Sequence, residues 1–293
     1  MQQWTLQRLL NWIAGYFVEH QVDAPRLSAE MLLSHVTGLK RIELYTNFEK
    51  TLPQDQLDKL HALVKRCGDQ EPVAYLVGQT EFYSIQMKVT PDCLIPRPET
   101  ELLTEKAIEF LRKRPQETEQ YVCDLCTGSG CIAVAIAKNC KAVKVIATDI
   151  SDAALSVAAR NVTEYKLQDR IQLLCGDLFE PVIEGLDVTR FDLIVCNPPY
   201  VTSSEYHELE NKVKDYEPKQ ALYAGRDGLD IYRRIAAIIG EHLKEDGALM
   251  LEIGFAHGNS VRKLLEKTEL FSNIQIEKDF NNNDRIVLAK KLR

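Results

Sequence analysis

Apolar residues in the first quarter of the chain recur at intervals of three and four. Leu6, Leu9, Leu10, Ile13 and Phe17 fall on one helical face, as do Leu32, Leu33 and Val36, and then Leu57, Leu60, Leu63 and Val64. Ser28 is the expected N-cap of the second helix and Gly38 its stop. From Glu71 the texture changes. The run EFYSIQMKVTPDCLIP is rich in β-branched and aromatic residues and is broken by Pro91, which predicts a hairpin or extended connector. RPETELLTEKAIEFLRKR then reads as a helix with Leu103, Ala107, Phe110 and Leu111 on one face.

Beyond that helix, strand-like and helix-like segments alternate. Strands are predicted at 121–125, 144–149, 171–177, 191–197 and 248–254, with a final antiparallel pair at 274–279 and 285–291. Helices are predicted between them, at 131–139, 152–165 and 229–243. This order implies an α/β fold of βαβ units with right-handed crossovers and a mostly parallel sheet. The expected organisation is a helical domain over residues 1–75, a β-hairpin or extended linker over 76–95, and an α/β domain over 96–293.

Composition narrows the classes. The 293 residues are 45% hydrophobic and 27% charged, enough apolar material for a sizeable core. A net charge of −7 argues against holding naked nucleic acid by counterion release. Residues 1–80 carry eight Lys and Arg against nine Asp and Glu, so no basic stripe arises there. No apolar run approaches the ~20 residues that span a bilayer, and the first twenty residues lack the layout of a signal peptide. A soluble cytoplasmic protein without membrane contact is expected. The eight cysteines lie within apolar runs, which fits a reducing compartment. Cys123 and Cys126 form a CxxC, but no second pair or neighbouring His pair accompanies it, so no metal site is expected.

The candidate chemistry lies at strand ends, where open α/β sheets bind ligands. The first strand of the alternating region ends at Asp124 and enters Cys126-Thr127-Gly128-Ser129-Gly130 before a helix. Glycines there allow close backbone approach, and the helix start offers free N–H groups. The next strand ends at Asp149, nineteen residues after Gly130, where a carboxylate can accept from a ribose diol. The third ends at Asp177 and Leu178, suited to the amino group and ring face of adenine. The fourth ends at Asn197-Pro198-Pro199-Tyr200, a stiff turn presenting one amide and one phenol.

Gly128-x-Gly130-x-x-Ala133 with an acid some twenty residues on also satisfies the dinucleotide fingerprint, so a nicotinamide dehydrogenase competes with an S-adenosylmethionine enzyme at this point. Asp124 ahead of the glycines suits a cationic amine and would repel a pyrophosphate. Asn197 favours transfer to a planar nitrogen, because its side-chain oxygen and the Pro198 carbonyl can accept both N–H groups of an amide or exocyclic amine. Tyr200 offers a flat face against such a group. This geometry does not choose between a glutamine and an adenine. A module that keeps the fold without the chemistry is a third reading, against which the intact Asp149 and Asn197–Tyr200 speak.

Taken together, EPVAYLVGQTEFY (71–83), LIPRPETE (94–101), DLCTGSG (124–130), ATDIS (147–151), GDLF (176–179), FDLIVCNPPY (191–200), DGLDIYRRI (227–235), LEIG (251–254) and the terminal DR (284–285) resemble the HemK/PrmC-type family of peptide-chain release factor glutamine N5-methyltransferases over nearly the whole chain. The combination of IPRPETE with NPPY is specific, whereas NPPY alone is shared with nucleic-acid N6-adenine methyltransferases. The resemblance implies a Rossmann-like methyltransferase domain, with a mostly parallel seven-stranded sheet and an antiparallel last strand, behind a helical substrate-recognition domain. It implies S-adenosylmethionine as cofactor, the glutamine of a release factor's Gly-Gly-Gln as acceptor, and a monomer with no sequence-specific nucleic-acid partner. Carried over by position, Asp124, Cys126, Thr127, Gly128, Ser129, Gly130, Asp149, Asp177, Leu178 and Asn197 bind the cofactor. Asn197, Pro198, Pro199 and Tyr200 hold the substrate, with Asn197, Pro198 and Tyr200 acting in catalysis. IPRPETE either lines the substrate cleft or forms a Pro-stiffened domain joint. Two positions depart from the family pattern: Cys126 replaces the usual Gly, and NNNDR (281–285) lacks one.

Overall fold

The computed structural model describes residues 3–183 and 188–292, and the chain divides into two compact units. One comprises Met1–Gln79 together with Glu210–Tyr216, the other Thr80–Leu209 and Glu217–Arg293.

In the first unit, helices Leu6–Glu19, Pro25–Thr37, Arg41–Thr46, Gln54–Gly68 and Val73–Val77 enclose a core that includes Leu10, Ile13, Phe17, Leu32, Leu33 and Leu60. Thr5 caps the first helix by accepting from the Arg8 N–H at 3.4 Å. Ser28 is not an N-cap. Its helix begins at Pro25, whose fixed φ suits a first helical position, and the buried Ser28 hydroxyl donates back to the Asp23 carbonyl at 2.9 Å. Gly38 ends that helix in the left-handed region, at φ +72°. The segment 210–216 joins this unit, with the Tyr216 hydroxyl donating to the Asp69 carbonyl at 3.0 Å.

A hairpin of β1 (Gln79–Phe82) and β2 (Ile85–Lys88) opens the second unit from Thr80 onward. Seven further strands form one sheet: β3 (Gln120–Leu125), β4 (Val143–Asp149), β5 (Ile171–Cys175), β6 (Phe191–Cys196), β7 (Leu243–Glu252), β8 (Phe271–Lys278) and β9 (Asp284–Lys291). Their order is β5-β4-β3-β6-β7-β9-β8. The first five are parallel, and β9 inserts antiparallel between β7 and β8. Both faces of the sheet are covered. Val122, Val145, Leu193 and Val195 point into a core shared with Leu103, Leu111 and Ile132, whereas Cys123, Ile146, Ile194 and Cys196 point into one shared with Tyr232, Ile235 and Val261. Burial on both faces explains why these strands read as continuous apolar runs rather than as alternation.

The strand order reverses between β3 and β6, which makes their carboxyl ends the switch point where open sheets bind ligands. Leu125 pairs with Cys196, so the two ends are level and the residues that follow them, Cys126 and Asn197, leave the sheet side by side.

Candidate active site

Three positive-φ residues shape the turn after β3: Cys126 at +58°, Gly128 at +55° and Gly130 at +77°. A Cβ on Gly130 would lie 3.1 Å from the Ala158 Cβ, so glycine is needed there for packing as well as for φ. Cys126 occupies a conformation that L side chains rarely adopt and that glycine adopts freely. Asn161 steadies the turn from behind. Its Nδ2 donates to the Ser129 carbonyl at 2.8 Å while its Oδ1 accepts from the Lys88 N–H at 2.7 Å.

Asp149, at the end of β4, is bound to this turn. One carboxylate oxygen accepts from the Gly128 N–H at 2.8 Å and the other from the Ser151 N–H at 2.9 Å. Burial raises its pKa, against the lowering effect of those backbone donors.

Asp124, expected at a ligand's amine, lies beneath the turn. Its Oδ2 accepts from the Thr127 hydroxyl at 2.6 Å and the Ala133 N–H at 3.2 Å. Its Oδ1 is buried without a hydrogen-bond partner among the described residues, and burial pushes the carboxyl up to about 7.

These elements surround a cavity of about 580 Å³, a volume that suits a small molecule the size of a nucleoside cofactor. Of the residues singled out from sequence, Cys126, Thr127, Gly128, Ser129, Asp149, Asp177, Leu178, Asn197 and Pro199 line it. Asp124, Gly130, Pro198 and Tyr200 are not among its lining residues. Asp177 pairs with Arg234 at 2.7 Å, and Arg234 is itself part of the wall.

Pro96, Arg97 and Thr100 of IPRPETE also line the cavity. Arg97 pairs closely with the buried Glu217, which accepts as well from the Ile95 N–H at 3.2 Å. Thr100 reaches Asn197, whose Nδ2 donates to the Thr100 Oγ1 at 3.1 Å. Thr100 in turn donates to Glu252 Oε2 at 2.7 Å, and the Tyr200 hydroxyl donates to Glu252 Oε1 at 3.3 Å. Glu252 is fully buried at the end of β7. Burial pushes its carboxyl up to about 7, against the lowering effects of Thr100, Arg285 and Tyr200. The Tyr200 phenol is raised by burial and by Glu252. Beyond Tyr200 the loop is pinned by Val201, which exchanges backbone hydrogen bonds with the Leu222–Ala224 stretch at 2.8 and 2.9 Å.

Thr100, Glu252, Arg97, Glu217 and Arg234 are the residues that sequence reasoning did not assign individually. Thr100, Arg97 and Glu252 lie inside runs already notable as IPRPETE and LEIG, and Arg234 inside DGLDIYRRI, but Glu217 carries no local signal.

Residues 8–78 match the family described as PrmC N-terminal domain, and residues 103–213 that described as methyltransferase small domain. The release factor glutamine methyltransferase of Rhodopirellula baltica is 42% identical over 290 residues, covering 98% of this chain and 97% of its own. That of Geobacter sulfurreducens is 40% identical over 284 residues, covering 97% and 96%. Among solved structures, the catalytic domain of hMettl16 in complex with an RNA hairpin superposes with a TM-score of 0.56 at 16% identity, over 80% of this chain and 81% of that one. A methyltransferase from Pyrococcus furiosus does so with 0.50 at 16% identity, over 72% and 91%. At that identity the structural likeness establishes a Rossmann-like methyltransferase fold, while the full-length sequence kinship goes further: the chain belongs to the release factor glutamine methyltransferase family.

Proposed function

We propose that this protein transfers a methyl group from S-adenosylmethionine to the side-chain N5 of the glutamine in the Gly-Gly-Gln motif of peptide-chain release factors, and so supports translation termination. The observation that carries this reading is the orientation of Asn197. Its amide nitrogen is committed to Thr100, which leaves Oδ1 as a fixed acceptor in the wall of the cavity that also contains the glycine turn and Asp149. The full-length kinship to named release factor glutamine methyltransferases supports the same acceptor.

The residues fit the methyl donor. Asp124 Oδ1 and Thr148 Oγ1 are buried polar atoms without hydrogen-bond partners among the described residues, and Thr148 lines the cavity. Such orphans suit a ligand bearing an ammonium and hydroxyl groups. The Asp149 carboxylate takes its protein contacts from backbone donors, with Gly128 on Oδ2 and Ser151 on Oδ1, and keeps lone-pair capacity for a ribose hydroxyl. Thr127 has given its hydrogen to Asp124, so it presents only lone pairs, which suit the ammonium. Asp177 and Leu178 serve the adenine, and Cys126, Gly128, Ser129 and Gly130 shape the turn. When bound, S-adenosylmethionine supplies a methyl group on a positively charged sulfur, which departs as a neutral thioether.

An amide nitrogen is a poor nucleophile because its lone pair is delocalised into the carbonyl. Asn197 Oδ1 accepts one N–H of the acceptor and the Pro198 carbonyl accepts the other, which favours a pyramidal nitrogen with its lone pair free. Tyr200 and Pro199 bound the planar group, so positioning supplies most of the rate. The methylated nitrogen then loses a proton to water. An adenine amino group has the same hydrogen-bonding capacity, but the net charge of −7 and the near-neutral first 80 residues disfavour a nucleic-acid substrate. The helical unit recognises the release factor, and the protein acts as a cytoplasmic monomer. Among the described residues no helix is long and apolar enough to cross a membrane.

The test is mass spectrometry of the Gly-Gly-Gln peptide of a release factor after incubation with the protein and S-adenosylmethionine. One methyl group on the glutamine side chain is expected. An unmodified glutamine alongside methylated DNA or RNA would overturn the reading.

A further inference from the structure

Asparagine has two amide orientations that differ little in shape and are opposite in chemistry. One presents a carbonyl oxygen to the acceptor, the other an N–H pair that would repel it. Donor and acceptor counting decides between them here. Above about pH 7, where the Glu252 carboxyl has lost its proton, it can only accept, so the single hydroxyl hydrogen of Thr100 goes to Glu252 Oε2, at 2.7 Å. Thr100 Oγ1 then has only lone pairs to offer Asn197, and at 3.1 Å it takes the Nδ2 hydrogen. The Asn197 oxygen is thereby turned to the opposite side. The second Glu252 oxygen accepts from the Tyr200 hydroxyl at 3.3 Å, so one carboxylate registers both the amide and the ring that flank the acceptor. Glu252 is itself held where β7 ends, its backbone carbonyl accepting from the buried Tyr232 hydroxyl at 2.8 Å.

We propose that Thr100 and Glu252 are positioning residues that fix the amide orientation of Asn197 for methyl transfer, an inference that rests on the function proposed above. Neither takes or gives a proton in the reaction. Thr100 acts on the acceptor through Asn197, and Glu252 acts through Thr100 and Tyr200.

The experiment compares Thr100→Val, Thr100→Ser and Asn197→Ala, alone and with Thr100→Val added to Asn197→Ala, using a Gly-Gly-Gln peptide as acceptor. Thr100→Val removes the hydroxyl at nearly constant shape. It is expected to lower kcat by about 30- to 100-fold, the scale of a misoriented reacting group. The Kd for S-adenosylmethionine stays within about threefold, because Asp149 and the glycine turn, which carry its polar contacts under the proposed function, are untouched. Thr100→Ser restores kcat to within about threefold of the parent. The double variant is no slower than Asn197→Ala, since both changes remove one function. A Thr100→Val enzyme with parental kcat, or a double variant slowed by the full product of the two effects, would overturn the proposal.

Solvent exchange of the Asn197 side-chain amide protons, assigned by their loss in Asn197→Ala, needs no acceptor. Slow exchange in the parent and fast exchange in Thr100→Val is expected, and equal exchange would contradict it. Should Thr100→Val fail to fold, Thr100→Ala gives the same comparison. A protein inactive on every glutamine peptide would refute the functional reading, while the exchange result would still decide the orientation claim.

Discussion

The Gly128 N–H donates to the Asp149 carboxylate at 2.8 Å, tying the end of β4 to the turn that follows β3. One side chain thus holds the turn in shape and, under the proposed function, carries the lone pairs offered to a ribose. Replacing Asp149 by Ala removes both, and charge-assisted hydrogen bonds of this kind contribute about 1.5–3 kcal/mol each. The Kd for S-adenosylmethionine is expected to rise by roughly 10- to 100-fold, the equivalent of one such contact. Calorimetric titration reads this directly, and an unchanged Kd would remove Asp149 from the cofactor site.

Cys126 carries a φ of +58° where glycine would be unstrained. Left-handed backbone costs an L residue about 1–2 kcal/mol, so Cys126→Gly is expected to raise the unfolding free energy by about 1 kcal/mol after the loss of side-chain contacts. Gly130→Ala is the converse case. Its φ of +77° and the 3.1 Å approach to Ala158 should make it destabilising by about 1–3 kcal/mol. Denaturant melts of the two variants test both signs, and a destabilised Cys126→Gly would show that its thiol packing outweighs the strain.

Glu252 supplies a pH dependence whose sign is fixed. Burial lifts its carboxyl from an ordinary 4.5 to about 7, with Thr100, Arg285 and Tyr200 pulling the other way and Glu99 adding to the rise. Between those values the unfolded chain has released the proton and the folded chain still holds it. The folded state therefore binds more protons, and stability falls as pH rises through the window, by about 3 kcal/mol in all. Above about 7 this contribution is flat. Asp124, raised from 3.8 to about 7 chiefly by burial, adds a slope of the same sign. Glu252→Gln should flatten the pH profile of unfolding free energy between pH 5 and 7 relative to the parent, and an unaltered slope would place the titration elsewhere.

Much of this fold is legible in the sequence because each βα element carries its own pattern. Helix Cys131–Asn139 falls where its apolar run predicts, and β3, β4 and β6 lie within one residue of expectation. One miss has a local cause, since Pro25 outcompetes Ser28 as a helix start. By contrast, the hairpin of β1 and β2 falls within the expected connector, although Tyr83 and Ser84 turn it at φ +51° and +57° with no Asn-Gly to announce it. At the site, residues next to strand ends could be named because topology places them at the switch point. The convergence of Thr100, Asn197 and Glu252 could not. It joins positions 97 and 152 residues apart, and although Asn197 stands out in the sequence, Thr100 and Glu252 read locally as an ordinary helix-start threonine and strand carboxylate. Asp124 stands out by its place before the glycines, but its bonds to Thr127 and Ala133 through Oδ2, which leave only Oδ1 without a partner among the described residues, could not be read from the sequence.

The most direct test of the central claim is single-turnover methyl transfer to a Gly-Gly-Gln peptide by Asn197→Ala, measured beside its Kd for S-adenosylmethionine. The expected result is a rate lowered by about 100- to 1000-fold, the scale seen when one preorganised polar contact is removed, with the Kd within about threefold of the parent. A rate close to that of the parent, or a loss explained entirely by weaker cofactor binding, would contradict the role given to the Asn197 oxygen.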